Sequence, residues 1–128
     1  MVQVTVSVGQ QIATQILQKG GTLPPPVSGL ALIDTGASST CVDETAAQQL
    51  QLPVIDVVKV ASASHAAADQ NVYPIQIEVV GLPITVSAPR AIGAPLEPQG
   101  IIVLIGRDVL QHCVLVYNGP TGSFCLSI

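Results

Sequence analysis

Aromatic residues are almost missing from this 128-residue chain, which has Tyr73, Tyr117 and Phe124 but no Trp. Its core must therefore be aliphatic, and the repeated Val and Ile favour strands. Charge is scarce too: Asp, Glu, Lys and Arg make up 9% of residues, and the net charge is -4. Lys19, Lys59, Arg90 and Arg107 are the only basic residues. Four scattered cations without Trp do not make a nucleic-acid or anionic-membrane surface, so no nucleic-acid partner is expected. No apolar run reaches the ~18 residues of a membrane span, and Met1-Val2-Gln3-Val4-Thr5 lacks the positive start of a signal peptide. His65 and His112 are the only histidines. No His or Cys pair has zinc-site spacing, so neither a metal nor a cofactor is expected. Cys41, Cys113 and Cys125 are odd in number and far apart, which suits reduced thiols and a cytoplasmic location.

What is present is apolar and rich in turns. Hydrophobic residues make up 48%, with eleven Gly and ten Pro. This predicts one mostly β domain over residues 1–128. So much apolar residue with so little charge also predicts that another chain covers part of the surface.

In chain order, Val2–Val8 alternates as a strand, and 10–19 carries Ile12, Ile16 and Leu17 at helical spacing before Gly20-Gly21. Three successive prolines precede an apolar strand, Val27–Ile33. Asp43–Leu50 reads as a helix capped by Asp43 and ended by Pro53. Val54–Val60 and Val72–Val80 read as strands, the second with Tyr73, Ile75, Ile77 and Val79 on one side, and residues 57–80 together as a long hairpin. The small, polar residues 61–71 between them have no large apolar anchor, which predicts a tip that is loose until a ligand orders it. Ile84–Ala88 is a strand and Pro89–Gly100 a loop. Ile101–Ile105 is an unbroken apolar strand expected to be buried on both faces. A short helix over 108–113 follows, then strands at Val114–Tyr117 and Ser123–Ile128.

Two of these strands end in a glycine turn. Ala31-Leu32-Ile33 runs into Asp34-Thr35-Gly36-Ala37-Ser38, and Leu104-Ile105 runs into Gly106-Arg107-Asp108. A carboxylate at the end of a buried strand costs several kcal/mol unless its charge is neutralised or shared. The first turn thus delivers one carboxyl group to a defined place, although an ordinary Asp-Gly turn would read the same in isolation. Gly-x-Ser-x-Gly is absent, since Gly36-Ala37-Ser38-Ser39-Thr40 ends wrongly for a serine nucleophile.

Both signatures, in this order and with a hairpin between them, resemble the retroviral-type aspartic peptidases (retropepsins) and more closely their single-domain bacterial relatives. The resemblance runs from about Val27 to Ile128. It implies a closed, mostly β acid-protease barrel with two or three short helices, working as a symmetric homodimer on a peptide or protein substrate. Asp34 and its symmetry mate would form the catalytic dyad, with Thr35, Gly36 and Ala37 as the active-site loop. Ala63, Ser64 and His65 would belong to the flap over the bound peptide. Gly106, Arg107 and Asp108 form the second, structural signature. The terminal strands would pair with those of the partner. Retroviral enzymes carry an acid two positions after the catalytic glycine, where this chain has Ser38, so Arg107 is expected to bind backbone carbonyls or another acid. Retroviral flaps are glycine-rich, whereas this one has none.

Two carboxyls about 3 Å apart cannot both ionise, so one removes a proton from water while the other protonates the substrate carbonyl. The residues accordingly predict an aspartic endopeptidase acting on an extended, largely apolar segment. Two alternatives stay open: a related dimerisation or peptide-binding module with little turnover, and a monomeric β domain with an ordinary Asp turn.

Overall fold

A computed structural model describes residues 1–62 and 65–127, with the side chains of all of these except 61, 62 and 65–67. The described residues form nine strands: β1 (Val2–Ser7), β2 (Val27–Ile33), β3 (Cys41–Asp43), β4 (Asp56–Ser62), β5 (His65–Val79), β6 (Ile84–Ala94), β7 (Val103–Ile105), β8 (Val114–Tyr117) and β9 (Phe124–Ser127). Three short helices, α1 (Gln10–Gln18), α2 (Glu44–Gln49) and α3 (Arg107–Leu110), lie between them.

Seven strands form one sheet in the order β1-β2-β7-β3-β6-β5-β4, and β1 also pairs with β5. That extra pairing closes a six-strand barrel, from which β4 projects as the outer arm of the β4–β5 hairpin. The fold is thus mostly β and of the closed acid-protease type. Its core is aliphatic, as so few aromatics require: Val4, Val6, Val42, Leu50, Ile75, Ile77 and Val103 are buried. Tyr73 is the one buried aromatic among the described residues.

Local chemistry explains most boundaries. Asp43 caps α2 by accepting from the Ala46 amide at 3.2 Å, and its other oxygen accepts from the amides of Leu96 and Glu97, both at 3.0 Å. Burying this carboxylate is tolerable because three N–H groups satisfy it. Along β5, Tyr73, Ile75, Ile77 and Val79 all face the core.

Three expectations need correction. The segment after Ala88 is not a loop: β6 continues to Ala94, past Pro89. The register shifts between Tyr73 and Ile75, and this bulge lets a proline sit in the strand without costing a ladder bond. The N-terminal strand offers no free edge to a partner, because β1 pairs with β2 on one side and β5 on the other. The strand read as Ile101–Ile105 is confined to Val103–Ile105, and only Ile101, Val103 and Ile105 are buried, while Ile102 and Leu104 are half-exposed. Finally, β3 was not apparent in the sequence, since three residues are too few to show a period.

Candidate active site

The geometry begins with a parallel pair. β2 lies beside β7 with Ala31 opposite Val103, Leu32 opposite Leu104 and Ile33 opposite Ile105. Both strands run the same way, so their two glycine turns emerge at one level. The Asp34 amide continues the ladder by donating to the Ile105 carbonyl at 3.0 Å.

Beyond that bond the turns are knotted together. The Arg107 amide donates to the Ala37 carbonyl at 2.8 Å, and Arg107 Nη1 donates to the Thr35 carbonyl at 2.9 Å. Arg107 therefore binds a backbone carbonyl of the Asp34 loop, one of the two partners its sequence context suggested. Thr40, fully buried, links the turns a second time. Its hydroxyl donates to Asp108 Oδ1 at 2.7 Å and accepts from the Gly106 amide at 3.1 Å, while its amide donates to Asp108 Oδ2 at 3.0 Å. Gly106 is required by space: a Cβ there would lie 2.6 Å from the backbone carbon and oxygen of Ser39.

Asp34 is left comparatively free. It is half-exposed, and its Oδ1 accepts from the Gly36 amide at 2.9 Å. A Cβ on Gly36 would press to 3.1 Å from that oxygen, so the glycine leaves room for the carboxylate. Thr35 and Gly36 are exposed and Ala37 is half-buried. The structure thus brings together Asp34, Thr35, Gly36, Ala37, Gly106, Arg107 and Asp108. Ala63 and Ser64 lie outside the described residues, as does the side chain of His65, whose backbone begins β5.

The register also reveals a row of residues that the sequence did not single out. Leu32, Leu104, Cys41 and Ile92 are successive cross-strand partners on β2, β7, β3 and β6. All four are half-buried, whereas Ala31, Val103 and Val42 in the next row are 0% exposed. Side chains alternate across a sheet, so this row faces away from the barrel core. Asp34 follows Leu32 by two residues and shares its face. An apolar strip therefore crosses four strands and begins beside the carboxylate. The two-residue offset of Leu32 from Asp34, and of Leu104 from Gly106, was the available signal. Burial raises the pKa of the Cys41 thiol above its usual value, and the negative charges of Asp108 and Asp34 raise it further.

Among the described residues, no three His, Cys, Asp or Glu side chains cluster so as to hold a metal ion, and no helix is long and apolar enough to cross a membrane.

Residues 27–112 match the family described as "gag-polyprotein putative aspartyl protease". The match covers two strands with their turns and the hairpin between, and the chain belongs to this retropepsin-like family. No curated protein matches the sequence. Several solved structures are similar to it in fold, among them these two. The retroviral protease-like domain of Ddi1 from Leishmania major is 18% identical with a TM-score of 0.51, and the match covers 100% of this chain and 87% of that one. The foamy viral protease-reverse transcriptase, solved with an RNA/DNA hybrid, is 19% identical with a TM-score of 0.51 over 88% of this chain. This chain spans only 12% of the length of that viral chain.

Proposed function

We propose that this protein is an aspartic endopeptidase whose dyad forms between the Asp34 carboxyls of two copies. One observation carries the reading. The fold delivers a single half-exposed carboxylate to the end of an apolar strip and clamps the neighbouring turn around it, while the nearest other acid of that clamp, Asp108, is turned onto Thr40. One chain therefore supplies one half of an acid–base pair, and the chemistry needs two.

The C-terminal hairpin supports association at this point. β8 and β9 pair only with each other among the described residues. They expose Val114, Val116, Tyr117 and Phe124, of which Tyr117 is 67% exposed. Leu115, Tyr117 and Phe124 share a cavity of about 360 Å3 with Leu32, Ile33 and Thr35. A copy docked on this hairpin would sit next to the Asp34 loop. Dimerisation thus rests on the C-terminal strands alone, since β1 is used within its own barrel.

In the dimer, one ionised Asp34 takes a proton from a water whose oxygen bonds to the peptide carbonyl carbon, while the protonated Asp34 of the partner subunit gives its proton to the carbonyl oxygen. The tetrahedral diol then collapses: the Asp34 that is now protonated gives its proton to the amide nitrogen, the ionised one takes a proton from a diol hydroxyl, and the C–N bond breaks. Leu32, Leu104, Cys41 and Ile92 would hold apolar side chains of an extended substrate, and the hairpin would cover it. The free thiols Cys41, Cys113 and Cys125 suit a reducing, cytoplasmic setting.

The test is hydrolysis of unfolded casein by the wild type and by Asp34→Asn. Cleavage by the wild type and none by the variant is expected. Equal cleavage by both would reject Asp34 as the catalytic acid, and no cleavage by either would favour a binding module.

A further inference from the structure

A cavity of about 510 Å3 lies between the β4–β5 hairpin, β6 and α3. Its apolar lining comes from Val58, Val60, Val72, Ile92 and Val109. Lys59, Arg90 and His112 line it as well, so it gathers two of the four basic residues of a chain whose net charge is -4.

The cavity is continuous with the apolar strip. Ile92 belongs to both, and Ser39, on the loop that follows Asp34, also lines it. The strip crosses three strand spacings from Leu32 to Ile92, roughly 14 Å at ~4.8 Å each. An extended peptide advances ~3.3 Å per residue, so a substrate lying along the strip reaches the cavity about four residues from the scissile bond.

Deepening the peptidase reading, on which it rests, we propose that this cavity is a subsite for an acidic substrate side chain lying about four residues from the cleaved bond. The aliphatic floor takes the methylenes of Glu, and the cations at the rim meet its carboxylate. The acids around it are largely engaged. Asp108, the one lining carboxylate, already accepts three hydrogen bonds, from the Thr40 hydroxyl and amide and the Val109 amide. Asp56 pairs with Arg90 at 2.6 Å and draws off part of that cation's charge. Asp69 stands opposite Lys59 in the β4–β5 ladder, and no ion pair joins them within 4 Å among the described residues. Arg90, held by Asp56 on the face of β4 that carries Val58 and Val60, is therefore the principal anchor, and Lys59, on the opposite face, is the reserve.

The experiment uses peptides that share an apolar scissile pair and carry Glu, Gln or Lys at the third, fourth or fifth residue on either flank. Wild-type kcat/KM should favour Glu over Gln by about 3- to 10-fold at low ionic strength, with the ratio falling toward one as salt rises. Arg90→Glu should reverse the order to Lys over Glu, while Asp56→Asn, which releases Arg90, should widen the Glu preference. Binding of the same peptides to Asp34→Asn, followed by fluorescence anisotropy, should give the same ranking. Equal handling of Glu and Gln, or a wild-type preference for Lys, would overturn the subsite and leave the peptidase reading standing. Glu-selective binding without any cleavage would support the subsite and overturn the peptidase reading. No binding of any peptide would overturn both.

Discussion

The turn at Asp34 and the turn at Gly106 end neighbouring parallel strands, yet they are built in opposite ways. The second is buried at its glycine and tied by side chains: Gly106 admits no side chain, and Asp108 holds Thr40 by two bonds. The first is exposed at Thr35 and Gly36, and among the described residues its carboxylate keeps one hydrogen bond, from its own turn. A reactive carboxylate has to stay available to substrate and to a second carboxyl, so it cannot also carry the structure. The neighbouring turn carries the structure in its place, and the Arg107 bonds to Thr35 and Ala37 pass that rigidity across.

This division of labour can be broken most severely at Gly106. Gly106→Ala forces a methyl group against the Ser39 backbone, and overpacking against main chain should cost about 3 kcal/mol. Thr40→Val removes a donor and an acceptor from a buried network and should cost about 2–4 kcal/mol. Urea unfolding should show both losses, whereas Asp34→Asn should leave the midpoint unchanged. Equal destabilisation by Asp34→Asn would erase the distinction between the turns.

Next in size is the loss of association. Val116→Asp places a charge on the exposed face of β8 and should yield a folded monomer without activity, read by sedimentation and circular dichroism. A dimer that persists would move the interface away from the C-terminal hairpin.

A smaller effect is expected inside the Asp34 loop. Ala37 offers no side-chain hydrogen bond to the dyad. Ala37→Ser adds a donor that favours the ionised carboxylate, so the acidic limb of the kcat/KM profile should move down by about 0.5–1 pH unit. An upward shift, or none, would show that the added hydroxyl does not reach the dyad.

The smallest effect is at Cys41, which lies within the influence of both turns. Its thiol pKa is raised first by burial, then by Asp108 and Asp34. A neighbouring negative charge disfavours the thiolate, so Asp34→Asn should lower that pKa and slightly speed alkylation at a given pH, measured by mass spectrometry. Slower alkylation would contradict the sign.

The parts of the fold with a long, regular pattern were legible in the sequence. β2 and β8 have the predicted bounds, and the alternation of Tyr73, Ile75, Ile77 and Val79 gave the buried face of β5. The two glycine turns could be read because each follows an apolar run. What could not be read depends on contacts between distant residues. Pro89 sits inside β6 because of a bulge opposite β5, β1 loses its free edge by closing the barrel, and Thr40 becomes the clamp only when Asp108 arrives 68 residues later. The strip of Leu32, Leu104, Cys41 and Ile92 exists only through register across four strands.

The central claim, that each active site needs an aspartate from two chains, is tested most directly by mixing. Wild-type protein is equilibrated with increasing amounts of Asp34→Asn, and peptide hydrolysis is measured per wild-type chain. Two-chain dyads predict that this specific activity falls toward zero as the variant takes up wild-type partners, because every mixed dimer lacks one carboxyl. A specific activity that stays constant at all ratios would mean that each chain carries a complete site, and would contradict the account.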